Sequence, residues 1–496
     1  MRHSPYQSLE NRFRRLFALR DAETFLTWDL AAMMPPGGAD SRAEQLAQLR
    51  AVQHNLLTAP DMGELIETAD GGSLTDGEAA NLGEMRALWR RAVALPEDLV
   101  TELSRANSAC ETAWRTARPA SDFAAILPHL ERVLARIREK AKILSEALGL
   151  SPYDALLDAY EPGGRAADID AVFDDLVAFL PGFLQEVLAH QAGQPAVIRP
   201  EGPFAVETQR QLGLRFMKQL GFDFDHGRLD ISLHPFCGGS HEDVRITTRY
   251  NEDEFASSLM GVLHETGHAL YEQGLPRKWR DQPAGDSRGM SVHESQSLMI
   301  EMQVCRSGLF LRYAAPILAE AFGGEGPAWE AGNLVRLFTR VQPGFIRVDA
   351  DEVTYPAHVI LRYRLEKALV EGTMQTRDLP AAWNEGMRAL LGITPPDDRR
   401  GCLQDIHWYD GAWGYFPTYT LGAMTAAQLF AAAKEADAAI EPGIAGGDFA
   451  PLLAWLRTNV HGKGSLLGTR DLLTQATGRP LDAAPFKAHL RARYLA

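Results

Sequence analysis

Cysteine is scarce in this chain. Its four residues (Cys110, Cys237, Cys305 and Cys402) stand far apart and form no C-x-x-C pair, which excludes a disulfide framework and a cysteine-based zinc knuckle. Long apolar runs are also missing. The stretch "LGAMTAAQLFAAA" at 421–433 is interrupted by Thr and Gln and falls short of the ~18 residues that a membrane span requires. Positive charge is in deficit, with 50 basic against 65 acidic residues and a net charge of -15. Such a surface repels phosphate backbones, so nucleic acid is not an expected partner. The opening "MRHSPYQSLENRFRRLFALR" is charged throughout and has no apolar stretch of signal-peptide length. These absences leave a protein of a reducing compartment, most simply the cytoplasm, with no membrane partner.

What is present is helical periodicity. Leu9, Phe13, Leu16 and Phe17 form one amphipathic stripe, and Leu130, Val133, Leu134, Ile137, Ala141, Leu144 and Leu148 form another that Gly149 and Pro152 end. Similar faces recur near 169–190, 206–220, 315–340, 356–371 and 424–436. Strand signals are few. "RLDISLHPF" (228–236) and "DVRITTRY" (243–250) alternate and are β-branched, and predict an antiparallel hairpin with "CGGSHE" as its loop. "MPPGGAD" (34–40) reads as a turn and "EPGIAGGDFAP" (441–451) as a surface loop. Length alone would allow several domains, but no linker or repeat divides the chain. Residues 1–496 read as one mainly α domain, a large helical body with a small antiparallel sheet.

One short stretch carries chemistry. In "LHETGHALYEQG" (263–274), His264 and His268 are four apart, with Glu265 directly after the first. The segment predicts a helix that opens with a capping box at Asn251 and Glu254 and stops at Gly274 and Pro276. On a helix, residues four apart share a face, so both imidazoles can reach one metal ion. Glu265 is turned about 100° away, where it can take a proton from a metal-associated water. The structural alternative is a pair of ordinary surface or core histidines.

A catalytic zinc site needs a third protein ligand. The metzincin pattern would require Gly at 271 and His at 274, whereas this chain has Tyr271 and Gly274. A carboxylate from the next helix is the other solution, and "MSVHESQSLMIEMQ" (290–303) offers Glu294 and Glu301. Glu294 also completes a capping box with Ser291. Spacing does not choose between the two. Glu272 is a weaker candidate on the metal helix itself, and His293 points away from Glu294.

Further stretches carry a family resemblance. His234-Pro235-Phe236, Asp243-Val244-Arg245-Ile246-Thr247, "HESQS" (293–297), Ile346-Arg347-Val348-Asp349-Ala350-Asp351, Gly401-Cys402-Leu403-Gln404-Asp405-Ile406-His407-Trp408 and the opening "TWDLAAMMPPGGADSRAEQLAQL" (27–49) follow one another in order. With His264-Glu265-x-x-His268 they resemble the carboxypeptidase Taq family of zinc metallocarboxypeptidases. The "LAA" before Met33 departs from the more polar residues expected there and touches no catalytic assignment. The resemblance implies a two-lobed helical fold with a deep groove, like neurolysin and angiotensin-converting enzymes. It makes Glu294 the third zinc ligand and Glu265 the general base, with one zinc per chain that cobalt can replace. It also implies a cytoplasmic homodimer that releases single C-terminal residues from peptides with broad specificity. An endo- or oligopeptidase on the same scaffold is the alternative. His407, Tyr415 and Tyr419 are candidate oxyanion donors. Arg347, preferred, and Arg245 are candidates to bind the terminal carboxylate, unless they form ion pairs with Asp349 or Asp351 and with Asp243. His234 is expected to be structural, and strand 243–250 to offer its edge to the substrate backbone.

Overall fold

The computed structural model describes residues 4–70 and 73–495. Most of them are helical, and the amphipathic stripes become core. Helix Pro5–Ala32 buries Leu9, Phe13 and Phe17, and helix Phe123–Leu148 buries Leu130, Val133, Leu134, Ile137, Ala141 and Leu144. Each of the Leu, Ile, Val and Phe side chains contributes ~1.5–3 kcal/mol by leaving water. Two large apolar cores result. One gathers helices Phe123–Leu148, Ala166–Ala192 and Tyr355–Glu371. The other gathers helices Val206–Leu220, Ala256–Glu272 and Gly308–Phe322 with the sheet. Helix Pro417–Ala436 links them, giving Leu421 and Met424 to the first and Leu429 and Phe430 to the second. A smaller cluster around Phe13, Ile66 and Met85 joins the first helix to Met62–Asp70 and Asp76–Ala94. A cavity of about 1190 Å³ opens between the two large cores.

The sheet differs from the expected hairpin. Its strands are β1 (Gly227–Ile231), β2 (Cys237–Ser240) and β3 (Asp243–Thr248), in the order β1-β3-β2. β1 runs parallel to β3, and only β2 is antiparallel to it. The sheet is therefore mixed, and the hairpin partner of β3 is the presumed loop "CGGS". The two central residues of that strand are glycines, which supply no alternating side chains and so no strand signal. Because β3 is paired on both sides, it has no free edge to offer a substrate.

Two helix expectations also need correction. The stripe at 315–340 divides into Gly308–Phe322 and Ala331–Phe338, broken at Gly323, whose φ of 62° suits a glycine cap. The presumed loop at 441–451 holds a short helix, Ile440–Gly446.

Candidate metal centre

Helix Ala256–Glu272 carries both histidines. Its N-cap is Phe255, four residues beyond the expected Asn251. Glu254 accepts from the backbone N–H of Ala256 (2.6 Å) and Ser257 (3.0 Å), while Asn251 Oδ1 takes the N–H of Asp253 (3.0 Å). The carboxylate at the helix start thus meets the positive end of the dipole.

Glu294 comes from helix Met290–Leu298, which crosses the metal helix closely. Two glycines permit this. A Cβ on Gly267 would lie 2.3 Å from the Gln296 carbonyl oxygen, and one on Gly422 would lie 2.8 Å from Glu294 Cβ. The Ser291 capping box is not made. Instead the Ser291 N–H donates to the buried Glu161 carboxylate at 3.0 Å, which leaves Glu294 free for the cavity.

Glu294 Oε2 lies 3.4 Å from His268 Nε2 and 3.9 Å from His264 Nε2. Ligand atoms ~2.0–2.1 Å from a tetrahedral zinc sit roughly 3.3–3.5 Å apart, so the three groups fit one ion after a small inward movement. Among the described residues, His264, His268 and Glu294 are the group of three whose ligand atoms converge this way.

The surroundings fix both rings. His264 Nδ1 bonds Glu301 Oε2 at 2.9 Å, and Glu301 in turn accepts from Arg306 at 2.8 and 3.1 Å. Glu301 stands on a π-helical segment, Met299–Cys305, and supports the histidine from behind. His268 Nδ1 faces the His293 carbonyl at 3.2 Å. Both Nε2 atoms are thereby left for the ion. His293 and Glu272 bond to each other at 2.8 Å, and Glu272 also holds His241.

The electrostatics ask for a cation. Burial drives Glu265 up to about 7, where it can take and return a proton near neutrality. Burial would lower His264 too, but Glu294, Glu301 and Glu265 outweigh it and raise the ring to about 10. His268, buried beside His293 and His264, falls to about 4. The neighbours part because the negative field of three carboxylates is concentrated on His264. A proton there stands in for the positive charge that a metal would supply, so the donor set fits a divalent ion.

The other candidates divide by position. Glu265, Arg347, Tyr355, Tyr415 and Tyr419 line the same cavity as His264, His268 and Glu294. His407 is not among its lining residues. It sits behind Tyr419, its Nε2 3.2 Å from the hydroxyl. Arg347 pairs with neither Asp349 nor Asp351. Its partner is Asp405, at 2.8 Å through Nη2, because Asp351 is occupied as an acceptor for Val353, Thr354 and Gln342 N–H groups. Arg245 does form its pair with Asp243, at 2.6 and 3.0 Å. It stacks over Phe25 and Trp28 and is not among the residues lining the cavity. The His234 side chain is exposed, and only its carbonyl serves, accepting from Ser232.

Comparisons with known proteins agree with this geometry. Residues 8–494 match the family described as carboxypeptidase Taq (M32) metallopeptidase. The chain belongs to that family. Thermostable carboxypeptidase 1 of Thermus thermophilus is 41% identical over 99% of this chain and 98% of its own. Carboxypeptidase 1 of Bacillus subtilis is 35% identical over similar shares, 99% and 98%. Metallocarboxypeptidase 1 of Trypanosoma cruzi superposes with a TM-score of 0.97 at 43% identity, covering 99% of each chain. As a carboxypeptidase Taq metallopeptidase, the protein hydrolyses peptide bonds with the help of a metal ion. No helix among its described residues is long and apolar enough to cross a membrane.

Proposed function

We propose that this metallocarboxypeptidase uses one zinc ion, held by His264, His268 and Glu294, to release single C-terminal residues from peptides of varied sequence. The observation that carries the reading is the convergence of those three side chains beside the buried Glu265. When bound, the cation acts as a Lewis acid that lowers the pKa of a water and polarises the scissile carbonyl. Glu265 accepts the proton of the attacking water and delivers it to the departing amine. Tyr415 and Tyr419 offer hydroxyls to the oxyanion that develops, and His407 positions Tyr419 from behind. Cobalt is expected to replace zinc, since imidazole and carboxylate ligands suit both. We place the enzyme in the cytoplasm as a homodimer, in keeping with its free thiols and its family.

Arg347 receives the terminal carboxylate. Its guanidinium has five N–H donors, and its bonds to Asp405 and Tyr355 engage Nε, one proton of Nη2 and one of Nη1. One N–H on each terminal nitrogen remains, the pair that grips a carboxylate in a fork. The test is a peptide offered with a free and with an amidated C-terminus. The free form is expected to be cut and the amide spared. Equal cleavage of the amide would instead identify an oligopeptidase on the same scaffold. For the backbone of the substrate, β2 replaces β3 as the candidate edge, since its first residue, Cys237, lines the cavity together with the preceding Pro235 and Phe236.

A further inference from the structure

Asp405 lies between two guanidiniums. Its Oδ1 accepts from Arg347 Nη2 at 2.8 Å and Nε at 3.2 Å, and its Oδ2 accepts from Arg362 Nε at 2.6 Å. One carboxylate thus faces two cations, and the buried group carries one positive charge in excess. Its titratable neighbours do not cancel or enlarge that charge. Burial first, and the two guanidiniums with it, hold His358 near 3 and His407 near 4, so both rings are neutral. Burial likewise keeps Tyr355 and Tyr419 protonated. Arg362 is lowered by burial only to about 10 and stays charged at neutral pH.

The two arginines are placed differently. Arg362 is fully buried, stacks 4.4 Å from the Trp383 ring centroid, and spends Nη1 on the His358 carbonyl at 2.8 Å. Its Nη2 has no partner among the described residues. No substrate can reach it. Arg347 lines the cavity. If Arg347 alone faced Asp405, the pair would be neutral, and an incoming carboxylate would gain little from it. With Arg362 sharing Asp405, the cavity wall keeps a net charge in a medium where water screens poorly.

We propose that Arg362 is a positioning residue for recognition of the substrate's free C-terminal carboxylate: by drawing on Asp405 it leaves the charge of Arg347 uncompensated at the cavity wall. The inference rests on the reading of Arg347 as the carboxylate receptor.

The experiment compares kcat and KM for one peptide as free acid and as amide, with a melting curve for every variant. Arg362→Gln removes the excess charge and retains a donor toward Asp405. Its KM for the free acid is expected to rise about tenfold with kcat little changed, the loss of a charge-assisted contact. The preference for acid over amide falls by the same factor. Arg362→Lys keeps the charge and is expected to keep the preference. The double variant Arg362→Gln/Asp405→Asn restores one excess charge and is expected to regain it, which a purely structural role would not produce. A wild-type preference that survives Arg362→Gln overturns the proposal, as does a double variant no better than the single. Should the glutamine variant not fold, Asp405→Asn alone, with two excess charges, is expected to raise the preference, and an unchanged or lower value overturns it. A wild-type enzyme that cuts acid and amide alike removes the Arg347 reading itself and the inference with it.

Discussion

At the scale of single residues, His264, Glu265 and His268 were legible because one helical turn fixes their relation, and no distant contact is needed to bring them together. The third ligand was open between Glu294 and Glu301 because both lie on one face of the following segment. What separates them is tertiary: Glu294 faces both imidazole Nε2 atoms, while Glu301 bonds His264 Nδ1 and Arg306. Glu301 is therefore expected to orient His264 and raise its basicity. Glu301→Gln should weaken zinc binding ~10–100-fold, read by competition with a chelator on the metal-free protein. An affinity equal to wild type would deny Glu301 that role. Asp405 was visible inside a matched motif, yet spacing tied Arg347 to Asp349 or Asp351. The real partner is 58 residues away in sequence, a separation that local pattern does not span.

At the scale of elements, stripes with a 3.6-residue period were read correctly wherever a continuous apolar face packs on a core, as in Phe123–Leu148. Failures fell where glycine carries the structure. β2 escaped notice through Gly238 and Gly239, and Gly267 gave no sign that a neighbouring helix would lie against it. The close crossing of Ala256–Glu272 and Met290–Leu298 is what delivers Glu294. Because the obstacle to a Cβ at Gly267 is backbone, 2.3 Å away at Gln296 O, Gly267→Ala must push the helices apart. The expected cost is about 1–3 kcal/mol, seen as a lower Tm together with substoichiometric zinc. Full zinc content at an unchanged Tm would show that the crossing tolerates a methyl group.

At the scale of the whole molecule, the abundance of amphipathic faces made the mainly helical body legible, whereas its two lobes were implied only by the family resemblance. How the last helix, Ala483–Tyr494, locks onto the body was not legible. Glu352 accepts from His489 (2.8 Å), Arg493 (3.1 Å) and Tyr494 (3.0 Å) of that helix. Burial would raise its carboxyl, but His489, Arg493 and Tyr494 outweigh burial and hold it at about 2. The His489 ring is itself lowered, with burial the largest cause. With the folded value below the unfolded 4.5, the stabilisation is complete above that pH and is lost as pH falls toward 2. A shift from 4.5 to about 2 corresponds to roughly 3 kcal/mol. Glu352→Gln should flatten the acid limb of the stability curve between these values, measured by denaturant unfolding across pH. An acid limb identical to wild type would assign the loss to other groups.

The central claim is that a metal ion at His264, His268 and Glu294 works with Glu265 as proton carrier. Metal analysis and C-terminal release by Glu265→Gln test it most directly. We expect the variant to retain one zinc per chain while kcat falls ~10²–10⁴-fold. A variant that keeps its zinc and releases C-terminal residues at the wild-type rate would contradict the account.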